Sequence, residues 1–177
     1  KVGNYNVACV VAWSEGEAKD PTPLKIAVTA GAAFNVETEL SKSEVMAGEK
    51  VSVTCTFSDA YGNVVEKTPK IAVDPQFGLD LLGLQILAIK AGTYAVACVE
   101  PESMAVDETP AILTVNPGMP KVITTTLLDD TIVAGESTQV SCAVEDAYGN
   151  EVSDFPVAIF LSPGLDIDVF SVSGTKA

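Results

Sequence analysis

Cys55 and Cys98 stand 43 residues apart, each in a run that alternates apolar with small or polar residues. The first run is Val51-Ser-Val-Thr-Cys-Thr-Phe57 and the second is Tyr94-Ala-Val-Ala-Cys98. On a strand such alternation sends Val51, Val53, Cys55 and Phe57 to one face, and Tyr94, Val96 and Cys98 to one face of the other strand. Two strands that each turn a cysteine toward a shared interior predict two packed sheets clasped by a Cys55–Cys98 disulfide. Few folds meet that demand.

The same runs recur, each time in half. Ala47-Gly-Glu-Lys-Val-Ser-Val-Thr-Cys55 aligns with Ala134-Gly-Glu-Ser-Thr-Gln-Val-Ser-Cys142 at an offset of 87, and Asp59-Ala-Tyr-Gly-Asn63 is repeated unchanged as Asp146-Ala-Tyr-Gly-Asn150. Gly92-Thr-Tyr-Ala-Val-Ala-Cys98 aligns with Gly3-Asn-Tyr-Asn-Val-Ala-Cys9 at an offset of 89. Self-similarity at this period predicts a tandem array of one domain type. Residues 1–30 supply the last two strands, F and G, of one unit. Residues 31–119 make a complete unit, and 120–177 supply strands A to E of another. Within the complete unit we expect A near 34–40, B at 50–58, C at 64–73, D and E within 79–90, F at 92–99 and G at 111–115. Seven short strands with no segment of helical period indicate an all-β fold of tandem immunoglobulin-like sandwiches with B–F disulfides between the sheets. Asn116-Pro-Gly-Met-Pro120 reads as a stiff linker, and Ala30-Gly-Ala-Ala33 as its earlier equivalent.

Cys9 and Cys142 hold the F and B positions of incomplete units. Thirty-five residues follow Cys142 and Cys9 is the ninth residue, close to the 43-residue spacing of the complete unit. The expectation is a two-domain tile in which residues 120–177 of one copy meet 1–30 of the next, Cys142 facing Cys9, head to tail. The competing expectation is a segment of a longer array with ragged ends. The start at Lys1-Val-Gly, without an initiator methionine or a signal-peptide core, fits a processed protein or an excised segment.

Aspartate and glutamate outnumber lysine and arginine 24 to 10, for a net charge of −14, and histidine is absent. Such a chain repels phosphate backbones and anionic lipid, which argues against nucleic-acid and membrane-surface partners. Its apolar runs are too short to span a bilayer. Cysteines in strand-like runs favour an oxidising, extracellular or cell-surface setting over reduced thiols in a cytosol.

In Asp-Ala-Tyr-Gly-Asn the aspartate can accept from amides two residues on, and Gly-Asn tolerates positive φ. Asp59, Gly62 and Asn63, with Asp146, Gly149 and Asn150, are therefore expected to form structural turns between strands B and C. A β-run, this pentapeptide, then Val-x-x-x-x-Pro or Val-x-x-Phe-Pro resembles the bacterial Ig-like repeats of invasin- and intimin-type adhesins and giant surface proteins. The resemblance covers the whole chain and implies a non-enzymatic extracellular stalk with binding concentrated in a distal domain. The chain departs from antibody domains in lacking a strand-C tryptophan and in placing Tyr94 and Tyr5 four residues before their cysteines.

Asp59, Asp129, Asp130, Asp146, Asp166 and Asp168 invite a calcium reading, but no EF-hand spacing links them, and turns or solvated faces are expected instead. Zinc would need the cysteines that the disulfide pattern claims. A nucleophile–base pair is missing without histidine, so no catalytic residues and no cofactor are expected. Trp13, in the F–G loop Ala12–Asp20, is a candidate contact residue; its alternative is packing against a neighbouring domain. The function expected is a rod, stalk or filament of self-associating units. Its rivals are a ligand-binding adhesin module that uses the F–G loops to meet a host-cell or surface ligand, and a polysaccharide-binding accessory.

Overall fold

The computed structural model describes residues 1–153 and 155–166. The central unit is a two-sheet sandwich. One sheet has the order β5 (Asn35–Leu40), β7 (Lys50–Ser58), β10 (Gln85–Ala88), β9 (Leu79–Leu82). The other runs β6 (Glu44–Met46), β12 (Ala111–Asn116), β11 (Gly92–Val99), β8 (Lys70–Asp74). The alternation read from the sequence is the burial pattern observed. Val51, Val53 and Phe57 of β7 meet Tyr94, Val96 and Cys98 of β11 in one core with Ile86, Leu113 and Val115. The Cys55–Cys98 disulfide joins the sheets across a Cα–Cα distance of 5.7 Å. Closing a loop of that length contributes about 4 kcal/mol by chain entropy.

Three features differ from expectation. The first strand is split: β5 lies on β7, and after Ser41-Lys-Ser43 the chain crosses to the other sheet, where β6 pairs parallel with β12. Strand C is shorter than 64–73. Only a Ser58↔Val64 bridge precedes Lys70, because Pro69 has no amide to give a ladder. Third, the Tyr94 hydroxyl donates to the Lys90 carbonyl at 2.8 Å and that of Tyr5 to the Lys1 carbonyl at 2.8 Å. A tyrosine four residues before the cysteine thus still ties its strand back to the preceding corner.

On either side in the sequence lie two-stranded sheets. β1 (Gly3–Val7) pairs with β4 (Leu24–Val28), and between them β2 (Val10–Trp13) and β3 (Gly16–Lys19) form a hairpin where a loop was expected. β13 (Val122–Leu127) pairs with β14 (Val140–Glu145), the counterparts of β5 and β7. Of strands A to E expected in 120–177, the described residues hold this pair and a Glu145↔Glu151 bridge. In the central unit strand C pairs with F. No helix among the described residues is long and apolar enough to cross a membrane.

Candidate functional site

The two Asp-Ala-Tyr-Gly-Asn turns are built alike. Asp59 Oδ1 accepts the amides of Tyr61 and Asn63, each at 2.9 Å, and the Asn63 side-chain amide donates back to the same carboxylate. Asp146 Oδ1 accepts from the amides of Tyr148 and Asn150 at 2.8 and 2.9 Å, and Oδ2 from Asn150 Nδ2 at 2.7 Å. Gly62 and Gly149, at φ 74° and 68°, close the loops in a left-handed conformation that favours glycine.

Each turn also reaches out of its own unit. Asp59 Oδ2 accepts the Gly31 amide of the preceding junction at 3.0 Å, and Asp146 Oδ2 accepts that of Gly118 at 2.7 Å. Gly31 and Gly118 are 87 residues apart, like the aspartates. Asn63 Oδ1 accepts the Val2 amide at 3.1 Å, and Asn150 Oδ1 the Ala91 amide at 3.0 Å. At the second junction Asn150 Nδ2 adds a bond to the Ile89 carbonyl, and Lys90 Nζ donates to the carbonyls of Tyr148 and Gly149. Tyr148 lies over Gly48 of the central unit, where an added Cβ would come within 2.9 Å of its hydroxyl. The pentapeptide is therefore a clasp between successive units as well as a turn within one. The turn was legible in the sequence. The outward bonds were not, although the matched 87 and 89 offsets of Gly31/Gly118 and Val2/Ala91 carried the signal.

Both carboxylates are held ionised. For Asp59 the Gly31 amide contributes most, followed by the Asn63 side chain and amide, and the pKa falls well below the usual range. For Asp146 burial opposes the charge, but the bonds from Asn150, Gly118 and Tyr148 outweigh it and lower the pKa to about 2.

Trp13 is at the tip of the β2–β3 hairpin, its ring over Gly16, and is 56% exposed. Cys9 is an exposed free thiol and Cys142 a partly buried one. Asp168 lies outside the described residues. Among them no group of three or more histidine, cysteine or acidic residues could hold a metal ion.

The overall fold has counterparts among solved structures. The structure matches the Escherichia coli adhesin FdeC at a TM-score of 0.54 and 21% identity, covering 84% of this chain and 52% of that one. It matches Yersinia pseudotuberculosis InvD at 0.52 and 16% identity, covering 85% and 52%. The fold is the Ig-like one of these bacterial proteins. The chain spans about half the length of either. No family model and no curated sequence matches it.

Proposed function

We propose that this chain is part of a non-enzymatic, extracellular array of Ig-like units that acts as a rod, stalk or filament. The observation that carries the reading is the clasp: the same linker glycine and the same pre-strand amide are bound by the same Asp-x-Tyr-Gly-Asn turn at two successive junctions. A chance contact has no reason to recur at the period of the sequence. Several hydrogen bonds to an ionised carboxylate and a bridging amide resist bending, which suits a spacer bearing load. The likeness to FdeC, an adhesin, and the disulfide support a cell-surface setting.

Small-angle scattering of the chain, wild type against Asn150→Ala, tests this. A narrow distance distribution that broadens in the variant, with unchanged circular dichroism, is expected. A wild type that already scatters as freely jointed units would remove the rod reading.

A second reading, a ligand-binding adhesin module, is favoured by Trp13, which stands exposed on its hairpin tip beside acidic Glu15 and Glu17. Trp13→Ala would then abolish binding to a target surface with the fold intact, whereas a pure spacer loses nothing.

A further inference from the structure

The corner between β10 and β11 divides its backbone groups between two units. The Ile89 and Lys90 amides both donate to the Gly78 carbonyl, at 3.0 and 2.8 Å, and the Lys90 carbonyl accepts the Tyr94 hydroxyl at 2.8 Å. These three bonds stay within the central unit. The Ile89 carbonyl and the Ala91 amide go instead to one side chain of the next unit, Asn150, through its Nδ2 at 2.8 Å and its Oδ1 at 3.0 Å. A carboxamide suits this pair because it carries one donor and one acceptor; a carboxylate has no donor for the carbonyl. Lys90 Nζ, on the same fixed residue, reaches the Tyr148 and Gly149 carbonyls.

Tyr94 holds this corner to the core. Its ring is buried with Val96 and Leu113, and its hydroxyl passes so close to Gly78 that a Cβ added there would overlap it. Its distance from the cysteine now has a reason. A tyrosine two residues before Cys98 would stand about 7 Å farther along the strand, out of reach of the Lys90 carbonyl. The same device stands one unit earlier. Lys1-Val-Gly-Asn-Tyr-Asn-Val-Ala-Cys9 repeats the Lys, Gly, Tyr and Val-Ala-Cys of Lys90-Ala-Gly-Thr-Tyr-Ala-Val-Ala-Cys98. There the Tyr5 hydroxyl donates to the Lys1 carbonyl at 2.8 Å, and the next amide, that of Val2, donates to Asn63 Oδ1 at 3.1 Å.

We infer that Tyr94 and Tyr5 are positioning residues of the junctions. Each ties the residue before the junction amide to its own strand, so that the amide meets the asparagine of the following Asp-Ala-Tyr-Gly-Asn turn. The orientation of one unit on the next is thereby set from inside the first. The inference rests on the array reading above and extends it to a side chain whose own hydroxyl bond lies within one unit.

Hydrogen exchange of the full chain, followed amide by amide by NMR, tests it. Tyr94→Phe keeps the ring and removes the hydroxyl. Exchange at the Ala91 amide should quicken about tenfold, the worth of one hydrogen bond. Val96→Ala, a truncation of the buried core on the same strand, should lower the denaturant midpoint at least as much and leave Ala91 protected. Tyr5→Phe should also leave Ala91 as in the wild type. Equal quickening at Ala91 in either control would mean a general loosening and overturn the positioning role. So would an Ala91 that Tyr94→Phe leaves unchanged, and in that case the protected junction and the array reading both stand. An Ala91 already unprotected in the wild type would remove the junction, and the inference would fall with it.

Discussion

The strand pairs β11–β12 and β1–β4 have the same ladder, yet one is core and the other is surface. Tyr94↔Leu113 and Tyr5↔Ile26 are equivalent pairs in equivalent registers. Leu113 and Val96 are fully buried, whereas Ile26 and Val7 are 51% and 58% exposed. Backbone pairing and the tyrosine corner are local properties of the sequence and form in both. Burial depends on the facing sheet, which the central unit has and which residues 1–30 do not meet among the described residues. The stability of a unit therefore comes from contact between sheets more than from ladders within one.

The largest break in this comparison should come from the cross-sheet bond. Cys55→Ala with Cys98→Ala should cost about 4 kcal/mol, read as a shift in the denaturant midpoint of the central unit. Cys9→Ala with Cys142→Ala, Cys55–Cys98 kept intact, should leave that midpoint in place. If both pairs behave alike, the disulfide does not distinguish the units.

Next comes packing. Leu113→Ala should lower stability by about 3 kcal/mol, as buried leucine truncations do, and Ile26→Ala by less than about 0.5 kcal/mol, as exposed substitutions do. Denaturant melts of the two variants measure this directly. An equal cost would mean that β1–β4 is covered in solution as β11–β12 is.

What the sequence made legible follows the same division. Strands B and F could be read because a one-sided strand must alternate: Val51, Val53 and Phe57 have no other way to share a core. The disulfide followed from their phase. The split of the first strand was not legible, since Glu44–Met46 is too short for periodicity to speak, and its parallel partner Thr114–Asn116 is about seventy residues away. Asp59 and Asp146 could be read as turn caps because the accepted amides lie two and four residues on. Their bonds to Gly31 and Gly118 come from the junctions that precede each unit, and a single copy of the motif contains no trace of them. The hairpin carrying Trp13 was hidden by its glutamates, which polar-loop reasoning takes for a loop although both strands lie exposed.

A smaller effect separates the clasps from the cores through pH. The Asp146 carboxyl is lowered to about 2 in the folded chain, against about 3.9 when unfolded. A depressed pKa contributes stability that is complete above the unfolded value and is lost as pH falls through the folded one, so the window runs from about 4 down to about 2. Protection of the Gly118 amide, measured against its intrinsic exchange rate at each pH, should fall in that window before that of the core of the central unit does. Asp146→Ala should exchange fast at Gly118 at every pH. Protection at Gly118 that persists below the window would mean the carboxylate is not what holds the junction.

The smallest effect isolates what the second junction gains from Tyr148. Gly48 and Gly135 are equivalent turn glycines at φ 96° and 93°, so alanine at either carries the same backbone strain, about 1 kcal/mol. Their surroundings differ. A Cβ at Gly135 meets nothing within 4 Å, whereas one at Gly48 comes within 2.9 Å of the Tyr148 hydroxyl. Because the strain is shared, the difference between Gly48→Ala and Gly135→Ala reports the contact between units alone. Gly48→Ala should displace Tyr148 and weaken the clasp it shares with Asp146 and Asn150, which faster hydrogen exchange at Ala91 and Gly118 would register, while Gly135→Ala leaves both amides protected. Adding Tyr148→Ala should erase the excess, since the ring that the new methyl strikes is then gone. An excess that survives without the ring would place its origin in the Ala47–Glu49 turn and take Tyr148 out of the junction.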